Sequence, residues 1–233
     1  MFPEPQILYQ DEDLIALNKP PGLSTLVEGW APERLTAIAW AQAHFGKVYP
    51  VHRLDKVTSG LLLFARTAQA HRSLSLQFES HQVVKRYRAI LVGEPQWEEM
   101  QASHPLRADV GRRHRTVVSQ KGKPAETLFR VLTRTAGYAW VEALPKTGRT
   151  HQVRAHAAAL GYPLLGDELY GAPSTSLIAR PAFHAWSLTF THPRLGSAQT
   201  LQAPLAEDIL QALEILGMVP YDPEHPYPTH SSP

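Results

Sequence analysis

Short apolar stretches along the chain predict a series of β-strands. Apolar residues at 7–9 and 14–17 flank the polar segment QDED at 10–13, a pattern typical of a β-hairpin. Residues 61–65, LLLFA, are apolar without interruption, which predicts a strand that is buried on both faces. Apolar residues alternate or cluster in further segments, and we expect strands at 87–92, 126–133, 138–144, 188–190 and 200–202.

Rows of apolar residues at helical spacing predict four helices. The helix after Thr67 places Ala70, Leu74 and Phe78 on one face, and Thr67 is a favoured N-cap. The other three predicted helices end before a glycine and lie at 36–45, 150–160 and 207–216. Because strands outnumber helices and often follow one another directly, we expect an α+β fold: a mixed, mostly antiparallel sheet flanked by helices.

Chain length and the composition of the C-terminal segment predict one domain followed by a tail. A chain of 233 residues fits a single domain, which we place at residues 1–218. Residues 219–233 contain five prolines and few apolar residues, so we expect an extended or disordered tail there. The sequence has no apolar run of ~18 residues and no secretory signal, so we expect a cytoplasmic protein without a membrane-spanning helix.

The absence of cysteine narrows the chemistry. Without cysteine there is no disulfide framework, no thiolate zinc site and no cysteine nucleophile. The chain has 12 histidines but no His-Glu-x-x-His motif, and His151 and His156 are five residues apart, the wrong spacing for one helix face. We therefore expect no metal site.

The net charge of +2 conceals a strongly basic central region. Residues 51–204 carry 20 basic and 10 acidic residues, a net of +10. Basic residues concentrate at 85–88 and 107–123. Such asymmetry indicates a polyanionic partner, with nucleic acid first, although a solvated basic face would give the same pattern.

Three polar strings carry the candidate chemistry. The densest is HRLDKVTSG at 52–60, directly before the predicted buried strand, where a rigid scaffold commonly presents functional side chains. The other two are KRYR at 85–88 and KTGRTHQVR at 146–154.

These strings resemble those of the RluA-type pseudouridine synthases. The string HRLDKVTSGLLLFA at 52–65 is similar to the signature of that family, and supporting strings follow in the family's order from about residue 7 to about residue 205: LNKPPGLST, KRYRAILVG, GKPAETLFRVL, LPKTGRTHQVRAH, GYPLLGDELYG and FHAWSLTFTHP. The resemblance implies a pseudouridine synthase fold with a central RNA-binding cleft. It also suggests a stand-alone catalytic domain without an S4-type module before it.

The resemblance implies an isomerase that converts uridine in RNA to pseudouridine without cofactor or metal. By similarity, Asp55 is the catalytic carboxylate, which attacks C1′ of the ribose or C6 of the ring, or assists formation of a glycal. Arg149 matches the arginine that pairs with this carboxylate and holds it ionised. Tyr87 matches the tyrosine that stacks on the target base.

RNA contacts are expected around these three residues. Arg53 matches an arginine that fills the gap left by the flipped nucleotide. The other predicted RNA-binding residues are His52, Lys19, Lys85, Arg86, Arg107, Arg112, Arg113, Arg115, His151 and Arg154. Because the base must be turned out of its stack, we expect a stem-loop or junction of tRNA or rRNA as substrate, bound by a monomer.

Two alternative functions compete with this prediction. A catalytically silent RNA-binding factor would need the basic residues but not Asp55 together with Arg149. A glycoside hydrolase would pair Asp55 with an acid such as Glu142 and would not need the basic central region.

Overall fold

Most of the chain consists of strands joined by short connections. The computed structural model describes residues 4–27, 35–111, 114–135 and 137–219. Within these residues the strands are β1 (Gln6–Gln10), β2 (Leu14–Lys19), β3 (Tyr49–Pro50), β4 (Ser59–Ala65), β5 (Val84–Val92), β6 (Glu99–Ala102), β7 (Leu106–Val110), β8 (Arg115–Val118), β9 (Thr127–Thr135), β10 (Tyr138–Pro145), β11 (Phe183–Thr191) and β12 (Ala198–Gln202). The helices are α1 (Ala37–Phe45), α2 (Ala68–Glu79), α3 (Gln152–Ala159) and α4 (Glu207–Ile215), with a short 3₁₀ helix at Glu168–Tyr170.

Ten of these strands form one sheet. Its main path runs β1-β2-β4-β11-β5-β10-β9-β6, with β3 paired to β4 and β12 paired to β11. The pair β4–β11 is parallel and the other described pairs are antiparallel, so the predicted mixed, mostly antiparallel sheet is confirmed. Strands β7 and β8 form a separate two-stranded ribbon.

Helices cover both faces of each half of the sheet. In the first half, α2 packs on the face of β4 that carries Leu61 and Leu63, and α1 packs on the face that carries Leu62 and Phe64. In the second half, α3 and α4 cover opposite faces of β5 and β10. Because neither face of β4 meets water, its run of apolar residues is buried throughout, as predicted.

The two halves meet where β4 pairs in parallel with β11, and Gly60 allows that contact. Gly60 has φ +111°, and a Cβ atom there would lie 2.2 Å from the carbonyl oxygen of Ala185. Only glycine therefore fits this position without moving the strands. The paired residues of β4, Ser59 and Gly60, are the last two of the polar string at 52–60, so this pairing fixes where that string lies.

The sequence predicted most elements and missed the short ones. The predicted hairpins, the four helices and the long strands are confirmed, and Thr36 and Thr67 cap α1 and α2 as their hydroxyls accept backbone N–H bonds. Strands β3, β6, β7 and β8 were missed, because they have two to five residues and those of β6 to β8 mix polar and apolar residues that are mostly exposed.

Other predictions are only partly reached by the structure. The predicted tail lies outside the described residues except for its first residue, so the boundary after residue 218 stays a prediction. In the described part of the chain, no helix has both the length and the apolar character needed to cross a membrane. The cytoplasmic location stays a prediction.

Candidate active site

A cavity of about 600 Å³ opens beside the β4–β11 pair that joins the two halves of the sheet. Its lining comes from all three polar strings: Asp55 from the first, Tyr87 from the second and His151 from the third. Phe78 at the end of α2 and Phe183 at the start of β11 add aromatic surface. The fold therefore brings together three strings that lie far apart in the sequence.

Hydrogen bonds from distant residues hold the loop that carries Asp55. The Thr25 hydroxyl donates to the Leu54 carbonyl at 2.8 Å and accepts from the Leu54 N–H at 3.0 Å. Within the loop, the Thr58 N–H donates to the Asp55 carbonyl at 3.0 Å. Arg180 donates to the Val57 carbonyl at 3.1 Å. A loop tied at several points presents its carboxylate in one position.

Lys19 belongs to this scaffold and does not face the cavity. Its side chain is completely buried, and its ammonium donates to the carbonyls of Pro20 and Leu23 at 2.9 Å each and of Lys56 at 3.4 Å. Burial, helped by the charge of Arg180, lowers the pKa of Lys19 to about 7. The predicted phosphate contact of Lys19 is wrong, because all three donor directions are used inside the protein.

Two basic side chains face the Asp55 carboxylate. Arg154 Nη1 lies 3.8 Å and His151 Nε2 lies 3.7 Å from Asp55 Oδ2. Behind Asp55, the Arg154 guanidinium makes a two-point contact with the buried Asp167, with Nε to Oδ2 at 2.7 Å and Nη2 to Oδ1 at 2.8 Å. This fork fixes the plane of the guanidinium, and Nη1 is left to face Asp55. Arg154 is therefore a buried partner of Asp55, and its predicted role as an RNA contact is wrong.

The predicted pairing of Arg149 with Asp55 is also wrong. Arg149 lies in the loop before α3, and its Nε donates to the Pro124 carbonyl at 3.1 Å. Its side chain lines the cavity at a different position. The difference follows from where the helix starts: α3 begins at Gln152, so Arg154 lies in its first turn and points into the protein.

Tyr87 lines the same cavity as Asp55. Its ring stacks on Phe183 with the ring centres 4.8 Å apart and the planes 13° from parallel. Burial, reinforced by the charge of Asp55, raises the pKa of the Tyr87 phenol well above its usual value. Tyr87 therefore stays a neutral phenol, held firmly beside the carboxylate.

The other predicted contacts at the cavity take different roles. Arg53 is exposed at the rim and donates to the Thr150 hydroxyl at 2.8 Å. Lys85 donates to the Thr147 carbonyl at 3.0 Å, and burial lowers its pKa to about 8. His52 accepts the Leu63 N–H at 2.9 Å and stacks on Phe78, and burial lowers its pKa to about 3. His52 is thus a neutral packing residue in the wall.

Strand alternation removes Arg86 and Glu142 from the cavity. On β5, Lys85 and Tyr87 line the cavity, so Arg86 and Arg88 point to the opposite face. There Arg88 and Arg86 surround the buried Glu142 on β10. Arg86 is therefore not placed to contact an RNA bound in the cavity. Glu142 is not placed to assist Asp55, which contradicts the glycoside hydrolase alternative.

The ribbon β7–β8 carries the remaining basic residues. Arg107 and Arg115 are exposed on its two strands. Arg112 and Arg113 lie outside the described residues. The ribbon is anchored near the cavity, because Leu106 packs with Ala155 on α3.

One cluster of ligand-type side chains occurs away from the cavity. Among the described residues, ligand atoms of Asp11, Asp13 and His192 lie within 4.8 Å of one another. Asp11 already accepts hydrogen bonds from Tyr9 and His192, and Asp13 pairs with Arg194. The cluster is an ion-pair network that ties the first hairpin to the end of β11.

Sequence reasoning assigned no role to Asp167, Tyr170 or Phe183. Asp167 and Tyr170 lie in the string GYPLLGDELYG at 161–171, which supported the resemblance, and Phe183 begins another such string. Periodicity gives no signal for them, because each acts through a contact with a residue of another segment: Arg154, His151 or Tyr87.

Comparison with known proteins identifies the family. A family model described as RNA pseudouridylate synthase matches residues 13–159. The chain is 38% identical over 201 residues to the dual-specificity RNA pseudouridine synthase RluA of Salmonella typhi, covering 85% of this chain and 92% of that protein. It is 36% identical over 240 residues to the ribosomal large subunit pseudouridine synthase D of Neisseria meningitidis, covering 93% of this chain and 63% of that protein.

The fold gives the same answer. The solved structure of human RNA pseudouridylate synthase domain containing 4 matches with a TM-score of 0.74 at 27% identity, over 91% of this chain and 92% of that chain. Sequence and fold agree over most of the chain, and the family predicted from the polar strings is confirmed. The chain belongs to the RNA pseudouridine synthase family.

Proposed function

We propose that this RNA pseudouridine synthase acts through Asp55 on uridines displayed in loops of tRNA or rRNA. The observation that carries the proposal is the joint position of Asp55 and Tyr87 in one cavity, with the carboxylate facing a fixed guanidinium. Glu79 also lines that cavity, but among the described residues only Asp55 lies within 4 Å of both Arg154 and His151.

The isomerisation requires one bond to break and another to form at C1′ of the ribose. The N1–C1′ bond breaks, the uracil turns, C5 bonds to C1′, the C5 proton leaves and N1 gains a proton. Asp55 is a carboxylate placed to attack C1′ or C6 or to assist a glycal route, and each route uses the ionised form. The cation of Arg154, held by Asp167, attracts and orients that carboxylate.

The aromatic residues suit a base that has been turned out of its helix. A uracil can reach Asp55 only when it is unstacked, which costs a few kcal/mol and is cheapest in a loop. Tyr87, backed by Phe183, offers a rigid aromatic surface for such a base. This favours a stem-loop or junction over a continuous duplex.

Basic residues at the rim and on the ribbon would position the RNA. Arg53 and Lys85 lie at the cavity, and Arg107 and Arg115 are exposed on the ribbon nearby. Contacts of this kind bind phosphates and fix register without specifying sequence. Asp55, Tyr87, Arg154 and the basic residues all come from one chain, which supports action as a monomer.

Tritium release tests the proposal. RNA labelled with tritium at uridine C5 loses the label when C5 bonds to C1′. We expect the wild-type protein to release tritium from a tRNA or an rRNA pool, and Asp55→Asn to release none while its RNA affinity stays within about threefold. Glu98→Gln, which removes an exposed surface carboxylate, is the matched control and is expected to keep full activity.

Two outcomes would contradict parts of this proposal. Release by Asp55→Asn at the wild-type rate would show that another group is the reacting carboxylate. Release from neither pool, with RNA still bound, would indicate a catalytically silent RNA-binding factor or a substrate outside tRNA and rRNA.

A further inference from the structure

The Tyr170 hydroxyl lies where three segments meet behind His151. It accepts the backbone N–H of Thr116, on β8 of the ribbon, at 2.9 Å. It also lies 3.1 Å from Nδ1 of His151. The guanidinium of Arg154 lies over the Tyr170 ring, with its Cζ atom 5.0 Å from the ring centre. Tyr170 therefore contacts both residues that face Asp55.

The direction of the hydrogen bond to His151 follows from what each group can donate. A backbone N–H only donates, so the Tyr170 oxygen is the acceptor in its contact with Thr116. The phenol proton can then be donated to Nδ1 of His151 at 3.1 Å, and this direction is favoured because the Asp55 carboxylate beside Nε2 can only accept. Burial raises the pKa of the Tyr170 phenol, so the hydroxyl keeps its proton.

The same contact decides where the proton of His151 lies. Burial lowers the pKa of His151, which favours the neutral ring, although Asp55 opposes this shift. A neutral imidazole that accepts at Nδ1 carries its proton on Nε2. Nε2 lies 3.7 Å from Oδ2 of Asp55, so a proton on Nε2 faces the carboxylate at a distance longer than a hydrogen bond. Such contacts shorten when a substrate closes the site.

The backbone of His151 indicates that this placement is strongly constrained. His151 has φ 52° and ψ 21°, the left-handed region, which is uncommon for residues other than glycine and which asparagine, aspartate and histidine adopt more often than the rest. That conformation persists only where surrounding contacts hold it. The ring is held on both sides, by Tyr170 at Nδ1 and by Asp55 at Nε2.

We propose that Tyr170 is a positioning residue, which fixes His151 in the Nε2–H form so that His151 donates to Asp55 during uridine isomerisation. The role in catalysis rests on the proposed function of Asp55, whereas the proton position on His151 does not. Asp55 then faces two donors that are each oriented from behind: Arg154 by Asp167, and His151 by Tyr170. The ribbon takes part, because its Thr116 N–H donates to the Tyr170 oxygen and holds the hydroxyl beside His151.

The tautomer can be measured directly, without RNA. Long-range ¹H–¹⁵N spectra of the imidazole rings distinguish a proton on Nε2 from one on Nδ1. The His151 signals are assigned by their loss in His151→Asn, a change that the left-handed backbone tolerates. We expect the Nε2–H form in the wild-type protein and a mixture of both forms in Tyr170→Phe. A proton on Nδ1 in the wild type would overturn the proposal, and this result does not depend on the folding of Tyr170→Phe.

Single-turnover kinetics then test the consequence for the reaction. We expect Tyr170→Phe to lower the rate constant of tritium release roughly fivefold, the effect of one lost hydrogen bond, with RNA affinity unchanged. Tyr138→Phe is the matched control, since the Tyr138 hydroxyl makes no hydrogen bond within the described structure. Tyr138 begins β10, whereas the cavity is lined by Pro145 at the end of that strand. It should change neither the tautomer nor the rate.

The outcomes separate this inference from the proposed function. A lower melting temperature of Tyr170→Phe with an unchanged tautomer and rate would show that Tyr170 only stabilises the fold, and would overturn the inference. Absence of tritium release from the wild type would count against the proposed substrate, while the spectra would still decide the tautomer.

Discussion

Single residues around Asp55 differ in whether their own partners are buried. Arg154 uses two nitrogens on the buried Asp167 and turns a third toward Asp55. Arg149, five residues earlier, bonds a loop carbonyl and remains at the cavity surface. Both are arginines of one string, but only Arg154 is oriented by a second charge.

This difference predicts that the same substitution, arginine to lysine, lowers turnover at one position and mainly RNA affinity at the other. Arg154→Lys keeps the charge but cannot make the two-point contact with Asp167. We expect its turnover to fall on the order of 100-fold through loss of oriented electrostatic stabilisation. Arg149→Lys should lose less than about tenfold, mainly in RNA affinity.

Tritium release under saturating RNA gives the turnover of each variant, and thermal denaturation checks that the Arg154 variant is folded at the assay temperature. A larger loss of turnover in Arg149→Lys than in Arg154→Lys would contradict the assignment of Arg154 as the partner of Asp55.

Lys85 predicts a pH dependence of RNA binding. Burial lowers its pKa to about 8, so the ammonium is present below that pH and is lost as the pH rises above it. If Lys85 contacts a phosphate, the dissociation constant for RNA increases as the pH passes from 7 to 9. Lys85→Arg, which stays charged over this range, should abolish that increase. Binding measured at fixed ionic strength checks this, and an identical pH profile for the two proteins would exclude Lys85 as the titrating group.

At the scale of elements, the ribbon β7–β8 has two functions. Its exposed face carries Arg107 and Arg115, while its inner side packs on α3 through Leu106 and donates the Thr116 N–H to Tyr170. A short ribbon outside the main sheet is held by few contacts of its own, so its position depends on α3 and on the 3₁₀ helix that carries Tyr170. It thereby connects the basic surface to the residues behind Asp55.

The ribbon predicts a measurable salt dependence. Replacing Arg107 and Arg115 by Gln should weaken binding to every RNA tested and reduce the slope of log affinity against log salt by about 1.5 to 2, as expected for two lost phosphate contacts. Arg72→Gln, at an exposed position on α2, serves as the control for the loss of surface charge. An unchanged slope in the double variant would show that the ribbon does not contact phosphates.

At the scale of the whole molecule, the pairing of β4 with β11 joins the two halves of the sheet. The parallel pairing covers only His184 with Ser59 and Ala185 with Gly60, yet it fixes the relative position of the Asp55 loop and Tyr87. Lys19 and Arg180 add buried hydrogen bonds to the same loop from both halves. The site therefore depends on a contact between halves, and neither half contains it alone.

Two glycine substitutions test the close approach of β4 to β11 at Gly60. Gly60→Ala places a Cβ atom 2.2 Å from a carbonyl oxygen in addition to the strain of a positive φ, and we expect it to cost about 3 kcal/mol or more in the free energy of unfolding. Gly171→Ala also has a positive φ, in the left-handed region, but open space around the Cβ position, and should cost roughly 1 kcal/mol. Urea denaturation measures both, and equal losses would show that the close approach at Gly60 is unimportant.

The sequence by itself determined the elements and most of the chemistry. Apolar periodicity predicted the long strands and the helices, since each depends on local spacing and on capping residues such as Thr36 and Thr67. The polar strings identified the family and placed Asp55 and Tyr87 at one site. Short strands such as β7 and β8 escaped, because their few residues show no clear apolar pattern and part of their packing comes from α3, which is distant in the chain.

Only the tertiary structure decided which basic residue serves which partner. The resemblance assigned Arg149 to Asp55 and left Arg154 and Lys19 as RNA contacts, but the burial of a charge depends on what packs against each side chain. The start of α3 turns Arg154 inward to Asp167, and the β2–Asp55 loop contact closes over Lys19. Tyr170 gained its place in the same way, because a hydrogen bond between a ribbon, a 3₁₀ helix and a left-handed residue exists only after the chain has folded.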